Sequence, residues 1–123
     1  MIELIEATIE EQEKITEIMT ASFNYDTAFY FGKDATDGPE GYSDGSLATK
    51  ILTDSTSQTW LISYQGEIAG FLTIDSQKWE VQYFCLFPLF INQGLGTKTW
   101  EKIEEHFGHR PWFLETPAYS TRN

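Results

Sequence analysis

A chain of 123 residues that is 41% hydrophobic and 15% aromatic holds enough apolar side chain for one domain around one core. Its 8 basic and 19 acidic residues leave a formal net charge of −11, which repels phosphate backbones and anionic membranes at long range and counts against nucleic acid and membrane partners. Cys85 is the single cysteine, so no internal disulfide forms; no run of about eighteen apolar residues occurs, and residues 1–6 lack a basic region leading into an apolar one, so a soluble, cytoplasmic protein is expected.

Ile2 to Ala7 alternates apolar and acidic residues and predicts a strand; Glu10 to Phe23 carries Ile15, Ile18, Met19 and Ser22 at helical spacing. Asn24 to Asp44 brings Gly32, Gly38, Pro39, Gly41 and four aspartates, which predicts an irregular segment, and Ser46 to Leu52 resumes a helical pattern. Thr59–Tyr64 and Ile68–Ile74 are β-rich runs joined by Gln65-Gly66-Glu67, a hairpin. Lys78 to Phe87 predicts a further strand, ended by Pro88, which has no N–H for a ladder. Trp100, Ile103 and Phe107 place a helix over Thr97 to Phe107, stopped by Gly108; Trp112 to Thr116 reads as a strand, and Pro117 opens a short helix. The order is β-α-α-β-β-β-α-β-(α), an α+β class. No repeat or low-complexity tract divides it, so residues 1–123 are expected to form a single domain.

One segment carries chemistry. Leu86-Phe87-Pro88-Leu89-Phe90-Ile91-Asn92-Gln93-Gly94-Leu95-Gly96-Thr97 runs from a strand end, through a loop with two glycines, into a helix start. Backbone N–H groups at a helix N-terminus lack intrahelical partners, and the dipole there is positive, so phosphate oxygens are bound without a basic side chain. A lone Gly-x-Gly is more often a plain strand-to-helix turn, but the match here extends further. Leu86, Pro88, Gly94, Leu95 and Gly96 fit the frame of the acetyl-CoA loop, Q/R-x-x-G-x-G/A after a strand and a proline, and the chain resembles the GNAT N-acetyltransferases. Trp112 to Thr116, with Arg122 and Asn123, resembles that family's next strand and the helix leading to its asparagine.

The resemblance implies a GNAT-like mixed, mostly antiparallel central sheet with flanking helices, and direct transfer of acetyl from acetyl-CoA to a primary amine of a small molecule, peptide or protein. Acetyl-CoA contacts are implied at Cys85, Leu86, Phe87, Ile91, Asn92, Gln93, Gly94, Leu95, Gly96, Thr97 and Asn123, with a main-chain N–H near Leu86 polarising the thioester carbonyl. Ile91 stands where the family pattern has Gln or Arg, and Gln93 where a basic residue is common, so side-chain help for the phosphates is weakened while the backbone donors remain. Glu80, on the strand leading to the acetyl position, and Glu115, on its neighbour, are the candidate bases, Glu80 being favoured.

The family's tyrosine acid falls after the position of Asn123, and Tyr119 does not occupy its place. The chain therefore reads as a C-terminally truncated member, and an uncovered sheet edge favours self-association, as a homodimer. A second reading follows from the same ending: a catalytically weak or silent CoA-binding or interaction module. Phe29, Tyr30, Phe31 and Tyr42, with Asp34, Asp37, Glu40 and Asp44, suit an amine or ammonium acceptor. His106 and His109 flank a helix end and are expected to cap it, and no metal-ligand spacing occurs, so no metal is expected.

Overall fold

The predicted element order recurs in the computed structural model, which describes residues 2–32, 36, 38–75, 77–78, 80–91, 93–108 and 113–114. The elements are β1 (Ile2–Glu6), α1 (Gln12–Phe31), α2 (Ser46–Thr53), β2 (Ser57–Tyr64), β3 (Glu67–Asp75), β4 (Glu80–Leu86), α3 (Leu95–Phe107) and β5 (Phe113–Leu114). The strands form one sheet in the order β1-β2-β3-β4-β5. Neighbours from β1 to β4 are antiparallel, and β5 lies parallel to β4, with Glu80 opposite Phe113 and Val81 opposite Leu114. The sheet is thus mixed and mostly antiparallel. The helix opened by Pro117 lies outside the described residues, as do Trp112, Glu115 and Thr116 of the predicted last strand.

The first helix is longer than its apolar pattern predicts. It continues through Asn24 to Phe31, where an irregular segment was expected, and stops at Gly32, whose φ of +123° suits glycine. Ile15, Ile18, Met19, Ser22, Phe23, Asp26 and Thr27 are its buried positions, so the helical spacing persists while the residues on it turn polar. An apolar count ends at Phe23 because the next inward positions are Asp26 and Thr27.

Alternation along the strands divides the core into two faces. Ile2, Trp60, Ile62, Leu72, Ile74, Val81 and Leu86 pack with Leu95 and Ile103 of α3. Leu61, Phe71 and Cys85 pack on the other face with Ile15, Ile18 and Met19 of α1 and Leu47, Ala48 and Ile51 of α2. The β2–β3 turn is a two-residue loop, Gln65 and Gly66, with φ of 52° and 83°, the geometry that matches strand twist.

A one-residue register shift sets the face of β4. Thr73 lies opposite Tyr83 and Ile74 opposite Val81, which leaves Gln82 as the extra residue of a bulge. Val81 thereby shares the α3 face with Leu86, while Cys85 faces α1. At the other end of this ladder Gly70 lies opposite Leu86, and a Cβ on Gly70 would strike the Cys85 carbonyl oxygen, Leu86 Cδ2 (2.8 Å) and Leu86 Cα (2.9 Å). Because backbone cannot yield as a side-chain tip does, Gly70→Ala is expected to destabilise the fold by at least about 1–3 kcal/mol in urea unfolding. A midpoint unchanged from wild type would contradict this packing.

Candidate functional site

The end of β4 feeds a tightly bonded loop. Phe87 N–H donates to Ala69 O at 2.8 Å, Phe90 N–H to Phe87 O at 2.9 Å and Ile91 N–H to Pro88 O at 3.2 Å, closing a single 3-10 turn over Pro88–Phe90. Since Phe87 is bonded to β3 and successive residues of a strand point their N–H groups to opposite edges, the N–H of Leu86 points to the outer edge of β4. The described ladder with β5 covers only Glu80 and Val81, so among the described residues no strand borders that edge from Gln82 to Leu86.

Gly94 then turns the chain into α3 with φ of +74°, and a Cβ there meets nothing within 4 Å, so the requirement for glycine is conformational. The first ladder bond of α3 runs from Lys98 N–H to Gly94 O at 3.3 Å. The N–H groups of Leu95, Gly96 and Thr97 therefore have no acceptor in the helix. No side chain caps them, and no acidic residue occupies the first turn, in a chain with 19 acids.

The expected loop contacts divide into backbone and anchoring roles. Ile91 and Leu95 are buried in the α3-face core, so their side chains hold the loop down. Gln93 donates its side-chain amide to Leu89 O at 2.8 Å, which staples the loop to itself. Thr97 is exposed, Gly96 half-buried, and Asn92 and Asn123 lie outside the described residues. Two cations flank the loop: Lys98 Nζ lies 5.3 Å over the Tyr64 ring, which meets Phe90 edge to face, and Lys14 Nζ lies 5.9 Å over the Phe87 ring. The pattern of glycines had no place for either lysine; Lys98, one residue after Thr97, was the legible one.

The residues expected to bear the chemistry do not all gather at this end. Cys85 and Leu86 are the last residues of β4, and Phe87 follows it. Glu80 is its first residue, half-buried, opposite Asp75 and Phe113. Five residues of extended strand separate Glu80 from Cys85, about 16 Å at roughly 3.3 Å per residue. Glu115 lies outside the described residues. Phe29 and Tyr30 are on the last turns of α1, exposed and edge to face with centroids 5.0 Å apart, and not on a loop. Tyr42 packs edge to face on Phe23, and its hydroxyl donates to Asn24 Oδ1 at 2.6 Å. Asp44 accepts from Ser46 N–H and Oγ–H at the start of α2, while Asp34, Asp37 and His109 lie outside the described residues. His106, in the last turn of α3, sets its ring edge to face on Trp60.

Beside Cys85 the structure brings in Ser22 of α1, on the helical spacing read from the sequence, and Asp26, which that spacing did not reach. Burial pushes the Cys85 thiol up to about 12; the hydrogen bond with Ser22 opposes this and the Asp26 carboxylate adds to it. A thiol whose folded pKa is raised contributes stability below its unfolded value, near 8.5, and loses it as pH climbs from there toward the folded value. Native protein at pH 8 is expected to react with a thiol-specific disulfide reagent at least about a hundredfold more slowly than urea-unfolded chain. Equal rates would place Cys85 in solvent.

Solved structures share this fold. A GCN5-related N-acetyltransferase from Rhodopseudomonas palustris aligns at 18% identity over 96% of this chain and 74% of its own, with a TM-score of 0.66. The PaiA N-acetyltransferase from Thermoplasma acidophilum, in complex with coenzyme A, aligns at 16% identity over 88% and 74%, with a TM-score of 0.61. An acetyltransferase from Thermus thermophilus aligns at 15% identity over 85% and 68%, with a TM-score of 0.59. At such identities the likeness is one of fold, and no curated protein matches the chain. The model of the Acetyltransferase (GNAT) family matches residues 12–118, from the first residue of α1 past β5, and the chain belongs to the GNAT acetyltransferase family.

Proposed function

We propose that residues 1–123 form one acetyl-CoA-dependent N-acetyltransferase domain that passes acetyl to a primary amine of a small molecule or peptide by direct attack. One observation carries the reading: β4 leads from an outer edge with an outward N–H at Leu86 straight into an uncapped, acid-free helix N-terminus. The donor set fits a pyrophosphate, since charge-assisted bonds from several amides outweigh the long-range repulsion of the net charge.

Acetyl-CoA supplies an activated acetyl thioester. The N–H groups of Leu95, Gly96 and Thr97 would hold the phosphates, with the backbone of Ile91, Asn92 and Gln93 lining the loop and Lys98 within reach of it. Cys85, Leu86 and Phe87 would border the pantetheine, and the Leu86 N–H is aimed to receive the carbonyl oxygen. Phe29, Tyr30 and Tyr42 would border the acceptor, and Asn123 the end of the coenzyme. A carboxylate takes the amine's proton; at about 16 Å along the strand Glu80 would do so only through relayed water, and Glu115 is the second carboxylate the sequence offers.

A silent CoA-binding module is the second reading, favoured by the burial of the Ile91 side chain where the family pattern has Gln or Arg. Turnover separates the two. Calorimetric titration with acetyl-CoA is expected to show binding, with thiol release on adding amines. Thr97→Glu is the sharper probe, because a carboxylate in the first turn suits the helix dipole yet opposes a phosphate. The variant is expected to keep or raise Tm and to bind acetyl-CoA at least about tenfold more weakly, near 1.4 kcal/mol. A flat wild-type titration, or undiminished binding by Thr97→Glu, removes the reading.

A further inference from the structure

We propose that Asp26 is the base of the transfer, taking the acceptor's proton on the α1 side of β4. The inference rests on the reading above, in which the acetyl group lies beside Cys85 and Leu86.

Asp26 is 4% exposed and occupies the inward stripe of α1 with Ile15, Met19 and Ser22. That stripe packs on β4, where Cys85 and Tyr83 are the titratable groups on the same face. The next residue, Leu86, points its N–H to the edge of β4 away from β3. Among the described residues Asp26 is thus the carboxylate on the Cys85 face near the proposed acetyl position, whereas Glu80 stands up to about 16 Å down the strand from Cys85. An aspartate inside a helix competes with the backbone, and burying a carboxylate costs free energy that a partner must offset. Cys85 does not compete for the role, because its thiol stays protonated in the physiological range.

The chemistry balances with the one co-reactant named. An alkyl ammonium has no lone pair to attack with. Asp26 accepts one proton, the neutral nitrogen attacks the thioester carbon, the C–N bond forms and the C–S bond breaks with its electron pair on sulfur. The second nitrogen proton goes to that thiolate, and Asp26 returns its own to solvent. The products are an amide, free CoA thiol and one proton.

The test uses the full chain, acetyl-CoA, and spermidine or an alanine peptide with a free N-terminus as acceptor. Asp26→Asn is expected to bind acetyl-CoA within about twofold of wild type and to lose about 10²–10³ in kcat at pH 7, the size of a general base. The deficit is expected to shrink at pH 9.5, where more amine is neutral in solution. Glu13→Gln, an exposed change on the same helix, is expected to leave kcat alone. Wild-type kcat in Asp26→Asn, a deficit that does not change with pH, or a larger loss in Glu80→Gln overturns the assignment. Should Asp26→Asn unfold, Asp26→Glu is read instead: kcat falls at unchanged acetyl-CoA affinity with the pH profile kept, and an undiminished kcat overturns the assignment. No acetyl-CoA binding by wild type overturns the site reading itself; binding without turnover of either amine overturns both.

Discussion

The ladder between β3 and β4 is the constraint on which the site depends. At its lower end the Gln82 bulge turns Val81 toward α3 and Cys85 toward α1. At its upper end Gly70 lets the backbone of Leu86 approach as no other residue would. Phe87 and Ala69 close the ladder, and that bond fixes the outward direction of the Leu86 N–H. Shift this register by one residue and Cys85 and Leu86 exchange faces, with α1 and α3 losing their partners together. The loop that follows inherits its position from the ladder and its curvature from the Pro88–Phe90 turn and Gly94.

Much of this was legible in the residues, and the misses share a cause. Element order along the chain, the hairpin at Gln65-Gly66 and the Gly94-Leu95-Gly96 entry to α3 are written in local chemistry, which alternation and turn preferences read directly. The far half of α1 was not, because helical spacing was followed through apolar residues alone and the inward positions after Phe23 are Asp26 and Thr27. The bulge at Gln82 left no mark in sequence, since a bulge is defined by the partner strand. Nor does a strand's sequence tell which end a parallel neighbour pairs with. Glu80 was read as lying on the strand that leads to Leu86, and it is that strand's first residue, opposite Phe113.

Global and local electrostatics point in opposite directions in this chain. A net charge of −11 would keep an anionic coenzyme away were charge spread evenly. Instead the first turn of α3 holds no acid, its free amides concentrate partial positive charge, and Lys98 and Lys14 are pinned against rings on the two sides of the loop. Screening near 8 Å at physiological ionic strength lets the local arrangement decide at contact distance. The same acidity that repels a polyanion at range would favour a cationic acceptor of the class proposed above.

Buried polarity on α1 is where stability and chemistry diverge. Ser22, Asp26 and Thr27 occupy positions that Ile15, Ile18 and Met19 fill one or two turns earlier, and the core on that face is correspondingly less apolar toward the end of the helix. A fold selected for packing alone would continue the aliphatic stripe, since each buried polar group must recover its desolvation through a partner. These polar positions fall on the face of Cys85, one residue from Leu86, whose N–H points away from β3. Each of these groups therefore needs a partner on that face, and Ser22 finds one in the Cys85 thiol.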